Sequence, residues 1–259
     1  MSTRSSYLFL ITLALAALGL IGCHSADFDI PVYPYTLDPS IKKTPIKTVM
    51  IAPINIGLPS RLYLQKHEAH IDEMVKTYLR DHDFSILPEE QFTQYWLEAI
   101  HQFGDPYDPT SGRRNENTFK QALIYTVNKL NSAEKIDAII FTDLIEVKTA
   151  FTTGFNHVAR WHGVARNPRL QGAGDGVTED FSWSQSVDAV SLEVSILNPQ
   201  LQGLFQSVGG IELTQAIDLK ASKPDFVRAR TVLSNDGFIQ EGIAIAFHPL
   251  IEYADYPKH

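Results

Sequence analysis

The sequence predicts an α/β (α+β) fold, in which one mixed β-sheet carries helices packed on its faces within a single domain. Three observations predict it. Through the first half, short apolar runs alternate with amphipathic helical segments. The second half turns to period-two alternation, as half-buried strands do. Finally, a 259-residue chain that is 44% hydrophobic can close a large core without staples, and its single cysteine allows no internal disulfide.

The elements follow in order. "TVMIAPI" (Thr48–Ile54) reads as a short buried strand that Pro53 brings to its end. Tyr63 to Asp81 reads as one helix, with Leu64, Ile71, Met74, Val75, Tyr78 and Leu79 near one face. "FSIL" follows as a strand. Pro88 then suits a first helical turn, where Glu89 and Glu90 favour the positive end of the dipole. This second helix carries Phe92, Tyr95, Trp96, Ala99, Ile100 and Phe103, and Gly104 can supply its stop. "DPYDPTSGRRNEN" is a turn-rich loop, and a third helix is expected over about Asn117 to Asn131.

Ala138 to Phe141 is continuously apolar, as a strand covered on both faces should be. From Thr142 the pattern alternates, so the same strand should emerge with one wet face. "HVARWHGVARN" and "AVSLEVSIL" also alternate, and "LFQSVGGIEL" reads as a hairpin partner of the latter. On a single strand His157 and His162 would face opposite sides. Gly209 and Gly210 suggest a bulge or bend. A last helix, near Asn235 to Phe247, is ended by Pro249. The predicted order is β-α-β-α-α-β-β-β-β-α.

The N-terminus has its own pattern. Arg4 precedes a run from Tyr7 to Ile21 of about fifteen apolar residues, shorter than the roughly 20 a spanning helix needs. It ends in Leu20-Ile21-Gly22-Cys23, on the only cysteine of the chain. These four residues resemble the lipobox of bacterial lipoproteins. The resemblance implies a diacylglycerol thioether on Cys23, cleavage after Gly22 and acylation of the new amine; several acyl chains anchor far more firmly than one. His24 stands where an aspartate favours retention in the inner membrane of enterobacteria, so the resemblance implies the outer membrane, facing the periplasm. Residues 1–22 are read as signal peptide, 23–47 as lipidated cysteine and extended arm, and 48–259 as the globular domain. Pro31, Pro34, Pro39 and Pro45 keep the arm extended, with a reach of roughly 75 Å if nothing holds it. Phe28, Ile30, Val32, Tyr33 and Tyr35 favour its partial docking on the domain.

A formal net charge of −8 lacks the basic footprint of nucleic-acid binding, and no polybasic tract reads anionic lipid. "KTVMIAPI", "FSIL", "AEKIDAIIFTDLIEV" and "LEVSIL...GLFQSVG", behind an acylated cysteine and an arm, resemble a superfamily over roughly Lys47 to Leu213. It includes the curli-secretion channel lipoprotein, the lipoprotein activator of penicillin-binding proteins and the amino-terminal domain of TolB. The resemblance implies a non-enzymatic adaptor in cell-envelope or surface-structure assembly, with envelope protein partners, no catalytic residues and no cofactor beyond the lipid on Cys23. An oligomeric component of an export apparatus is the alternative, although no pair of long amphipathic strands is legible.

Two residue groups invite chemistry. His67 and His70, three apart on a helix beside Glu68, Asp72 and Glu73, could present two imidazoles to a metal, as a metal-dependent hydrolase would require. The competing reading is a solvated helix face. In and around "NPRLQGAGDGVTEDFSWSQSV" stand Arg166, Arg169, Phe181 and Trp183, types enriched at binding hot spots. These four are the expected partner contacts, against the alternative of a lid whose aromatics only cover the sheet.

Overall fold

Alternation along three long strands decides the architecture. The computed structural model describes residues 35–56, 62–152, 157–174, 176, 177, 179, 181–220 and 224–254. The residues read as signal peptide and lipobox, and those of the arm before Tyr35, lie outside the described residues. The elements are β1 (Thr36–Leu37), β2 (Thr48–Ile51), α1 (Leu62–Gln65), α2 (Glu68–Asp81), β3 (Ser85–Ile86), α3 (Glu89–Phe103), α4 (Glu116–Ala133) and β4 (Ala138–Ala150). They continue as β5 (Ala159–Trp161), β6 (Val164–Arg166), β7 (Arg169–Gln171), β8 (Ser186–Leu197), β9 (Gly203–Leu213), β10 (Gln215–Asp218), β11 (Asp225–Arg228) and α5 (Asp236–Phe247).

The main sheet has six strands in the order β1-β9-β8-β4-β2-β3. β2 runs parallel to both β3 and β4, whereas β4, β8, β9 and β1 are antiparallel. The fold is therefore α+β, a single domain with a mixed sheet. Val49, Ile51, Ala138, Ile140, Val194 and Ile196 point to one face, where Ile71, Val75 and Leu79 of α2 and Ile239, Ile243 and Phe247 of α5 close on them. Met50, Ile139 and Phe141 point to the other, against Phe92 and Trp96 of α3 and Ala122, Val127 and Leu130 of α4. This two-sided cover is why Ala138 to Phe141 is apolar without a break. Asparagines start two of the helices: Asn115 Oδ1 accepts from the N–H groups of Asn117 and Thr118, and Asn235 Oδ1 from those of Gly237 and Phe238.

Three expectations change. The helix predicted from Tyr63 to Asp81 breaks at Lys66–His67 into α1 and α2. "HVARWHGVARN" is a hairpin rather than one strand: His162 (φ 40°) and Gly163 (φ 81°) form a turn with both φ positive, and β5 pairs with β6. His162 is thus a turn residue. β4 itself is one strand through both the apolar and the alternating run, as read, and it pairs with β8 from Ile139↔Leu197 to Ala150↔Ser186. Finally, β7 lies inside the expected loop and joins β10 and β11 in a three-stranded sheet.

The described part of the arm belongs to the domain. Thr36 and Leu37 pair with Gln206 and Phe205 on the β9 edge, and the Asp38 N–H donates to Leu204 O at 2.7 Å. Asp38 Oδ1 then accepts from the Ser40 N–H and starts a short 3-10 turn, Pro39–Lys42. Leu37 and Ile41 pack against the core.

Candidate functional site

Helices α3 and α4 cover only part of their face of the sheet. Beyond Phe141 the same face continues as Asp143 and Ile145 on β4, Glu193 and Ser195 on β8, and Gln206 and Val208 on β9. At its far end the β5–β6 hairpin closes over it; a Cβ on Gly210 would lie 2.4 Å from Val164 Cγ2. Between α4 and this hairpin lies an uncovered strip. One cavity of about 400 Å³ on it is lined by Arg114, Phe119, Phe141, Asp143, Glu193 and Ser195. A second of about 270 Å³ is lined by Tyr35, Thr36, Ile145, His162, Glu193 and Gln206. Glu193 is a wall of both. The alternation that starts at Thr142 marked this wet face; the convergence of Arg114, His162 and the arm upon it left no local signal.

Asp143 and Glu193 are register partners on adjacent strands, so their side chains stand side by side on this face. Gln206 Nε2 donates to Glu193 Oε1 at 2.8 Å. Arg114 Nε donates to Glu116 Oε1 at 2.9 Å, and its guanidinium lies 4.4 Å over the Phe119 ring. On the opposite wall the Trp161 indole N–H donates to Ser191 Oγ at 3.1 Å, and Ser191 Oγ lies 2.8 Å from His162 Nδ1. The Ser191 hydroxyl thus links the indole to the imidazole. Burial lowers the His162 pKa and Glu193 only partly offsets this, so the ring is neutral at pH 7. Ser191 is fully buried. The pair therefore orients an imidazole and exposes no nucleophile.

The residues expected from sequence fall elsewhere. Arg166 is buried: its Nε donates to Ile211 O at 2.9 Å, its Nη2 pairs with Glu241 Oε2 at 2.6 Å, and its guanidinium stacks 4.0 Å over Phe238. Arg169 forms an ion pair with the buried Glu212 and donates to Thr231 O at 2.9 Å. Both arginines line a cavity of about 510 Å³ beside the start of α5, with Glu212, Asn235 and Phe238. Phe181 and Trp183 pack with one another and with Phe226, and Trp183 stacks on His157 at 3.8 Å between ring centroids. The structure brings the arginines together and the aromatics together, each around internal partners. His67 stands at the start of α2, and His70 Nε2 lies 2.8 Å from Asp236 Oδ1, tying α2 to α5. Among the described residues no three His, Cys, Asp or Glu gather as a metal ion needs.

No family model, no curated protein and no solved structure matches the chain. The fold and site thus define it in their own terms, as an α+β domain with an open strip on one face of its sheet.

Proposed function

We propose that the protein is a lipoprotein of the outer membrane, facing the periplasm, whose domain is a non-enzymatic adaptor in envelope or surface-structure assembly and holds a partner on the open strip of its sheet. One observation carries the reading. Thr36 is both the first residue paired to β9 and a wall of the strip's cavity, so the chain from the lipobox enters the domain at the site itself. At about 3.5 Å per residue, Cys23 lies at most about 45 Å from Thr36. A tether that short, ending at the rim of a concave and partly apolar surface, suits a binding module that works close to its membrane.

The test has two arms. Labelled palmitate should enter the wild-type chain and not Cys23→Ser, which should leave the membrane fraction. A photoreactive benzoyl-phenylalanine at Ser195 should cross-link to an envelope protein, and one at the exposed Glu134 should not. Unchanged fractionation of Cys23→Ser overturns the anchor. Equal cross-linking from both positions overturns the site.

A further inference from the structure

The six-stranded sheet ends on β3, whose outer side pairs with no strand among the described residues. On its inner side the Ser85 N–H donates to Lys47 O at 2.8 Å and the Leu87 N–H to Val49 O at 2.9 Å. Successive residues of a strand turn their backbone groups to opposite sides, so the N–H and C=O of Ile86 both point outward. The ladder can grow there by that one residue. Before it, the Phe84 N–H is already given to Leu79 O at 3.1 Å, and after it Pro88 has no N–H to give. Along this edge runs a groove of about 750 Å³, lined by Glu73 and Arg80 of α2, by Ile86 and Leu87, and by Leu97 of α3. Leu97 is 52% exposed although apolar. Glu73 and Arg80 stand two turns apart, so they share one face of α2 with about 10 Å between them.

We propose that two copies of this chain meet at the β3 edge, about a twofold axis normal to the sheet. In an antiparallel pair, two facing residues exchange both of their backbone bonds. A twofold axis between them makes them the same residue, so the Ile86 N–H of each copy donates to the Ile86 carbonyl of the other. α2 then lies antiparallel to its own copy, and Glu73 of each faces Arg80 of the other. The surface is complementary to itself, as a twofold contact requires. Glu73 gives Oε1 to Lys76 at 3.0 Å and keeps Oε2 for the guanidinium, while Arg80 is exposed and forms no ion pair among the described residues. Leu97 of each copy leaves water in the same contact, which is favourable for an apolar side chain. A longer foreign strand gains nothing on this edge, because Phe84 and Pro88 bar pairing on either side of Ile86. The inference goes beyond the adaptor reading. With the axis normal to the sheet, the open strips of both copies lie on one side of the joined sheet and face a partner together.

The experiment measures the mass of the full chain in a neutral detergent by light scattering over a dilution series, with the detergent's mass subtracted. Wild type should have twice the protein mass of one chain and fall to a single chain on dilution. Glu73→Arg and Arg80→Glu each set like charges against each other across the axis, and each should weaken the dimer about tenfold or more. The double variant Glu73→Arg/Arg80→Glu exchanges the signs and should dimerise within about threefold of wild type. That recovery is a result which poor folding of a single variant does not produce. Leu97→Asp should also weaken the dimer, and Glu134→Lys, on the exposed end of α4, should leave it unchanged. A wild-type mass of one chain at every concentration would overturn the inference. So would a dimer that neither single reversal weakens, or a double reversal as weak as the single ones. None of these readings depends on palmitate labelling or on cross-linking from Ser195, so this inference and the adaptor reading fail separately.

Discussion

Gly209 of β9 lies directly against Gly242 of α5: a Cβ on Gly209 would stand 2.0 Å from the Gly242 carbonyl oxygen. A Cβ on Gly242 would in turn stand 2.8 Å from Gly210 O. Helix and strand meet backbone to backbone, which seats Ile239, Ile243 and Phe247 deep over the sheet. The two glycines first read as a bend mark this contact as well as the bulge, since the β8–β9 register does shift beside Gly210.

Gly209→Ala should therefore destabilise by about 3 kcal/mol, at the upper end for overpacking, because backbone atoms cannot step aside. Urea unfolding followed by circular dichroism checks it. A loss below about 1 kcal/mol would mean that α5 shifts freely on the sheet.

A second prediction concerns acid. Lys76 Nζ lies 2.6 Å from Asp72 Oδ2, 2.6 Å from Glu89 Oε2 and 3.0 Å from Glu73 Oε1. Burial alone would lower the amine, but these carboxylates hold it above its ordinary value. Asp72 shares that one cation with two other acids, so burial dominates and its pKa is pushed up to about 6. The folded state then binds this proton more tightly than the unfolded chain does. Stability should fall as pH rises from about 4 to about 6, by on the order of 2 kcal/mol. Burial raises Glu212 in the same sense, against its bonds to the Leu233 N–H and Arg169. Asp72→Asn should flatten much of the slope in denaturant unfolding between pH 4 and 7, and Asp72→Asn/Glu212→Gln should flatten more.

Arg166 separates a structural role from a binding one. Arg166→Ala strands the buried Ile211 carbonyl and the Glu241 carboxylate, and should cost about 3 kcal/mol. Arg166→Lys should recover only part of this, since an ammonium cannot reproduce the stack on Phe238 and both hydrogen bonds. Thermal unfolding of the two variants checks the order.

The arm supplies a fourth. Its strand holds by two residue pairs and by the packing of Leu37 and Ile41. Leu37→Asp should release it, removing hydrogen-exchange protection at the Asp38 amide while β4 and β8 keep theirs. Protection that persists at Asp38 would mean that the backbone pairing alone holds the arm.

Legibility tracked the range of the interactions. α3, α4 and α5 were readable because each carries an apolar stripe, and because Pro88, Gly104 and Pro249 mark ends of α3 and α5. β10 and β11 were not: "QAID" and "DFVR" are four residues each, and Phe226 finds its partners in Phe151 and Trp183, far away in the chain. The hairpin at His162–Gly163 had a local signal, a residue followed by glycine between two alternating halves, but a polar, uninterrupted rhythm masked it.

By itself the sequence determined the fold class, the central apolar strand, the helices that cover it and the wet face that begins at Thr142. Those follow from the side-chain period, which local chain geometry imposes wherever the strand or helix sits. Only the tertiary structure decided that Asp143 and Glu193 stand side by side, that His162 faces them and that the arm ends at their rim. Each of these depends on pairings between segments tens of residues apart, and such a register leaves no trace in the rhythm of any one segment.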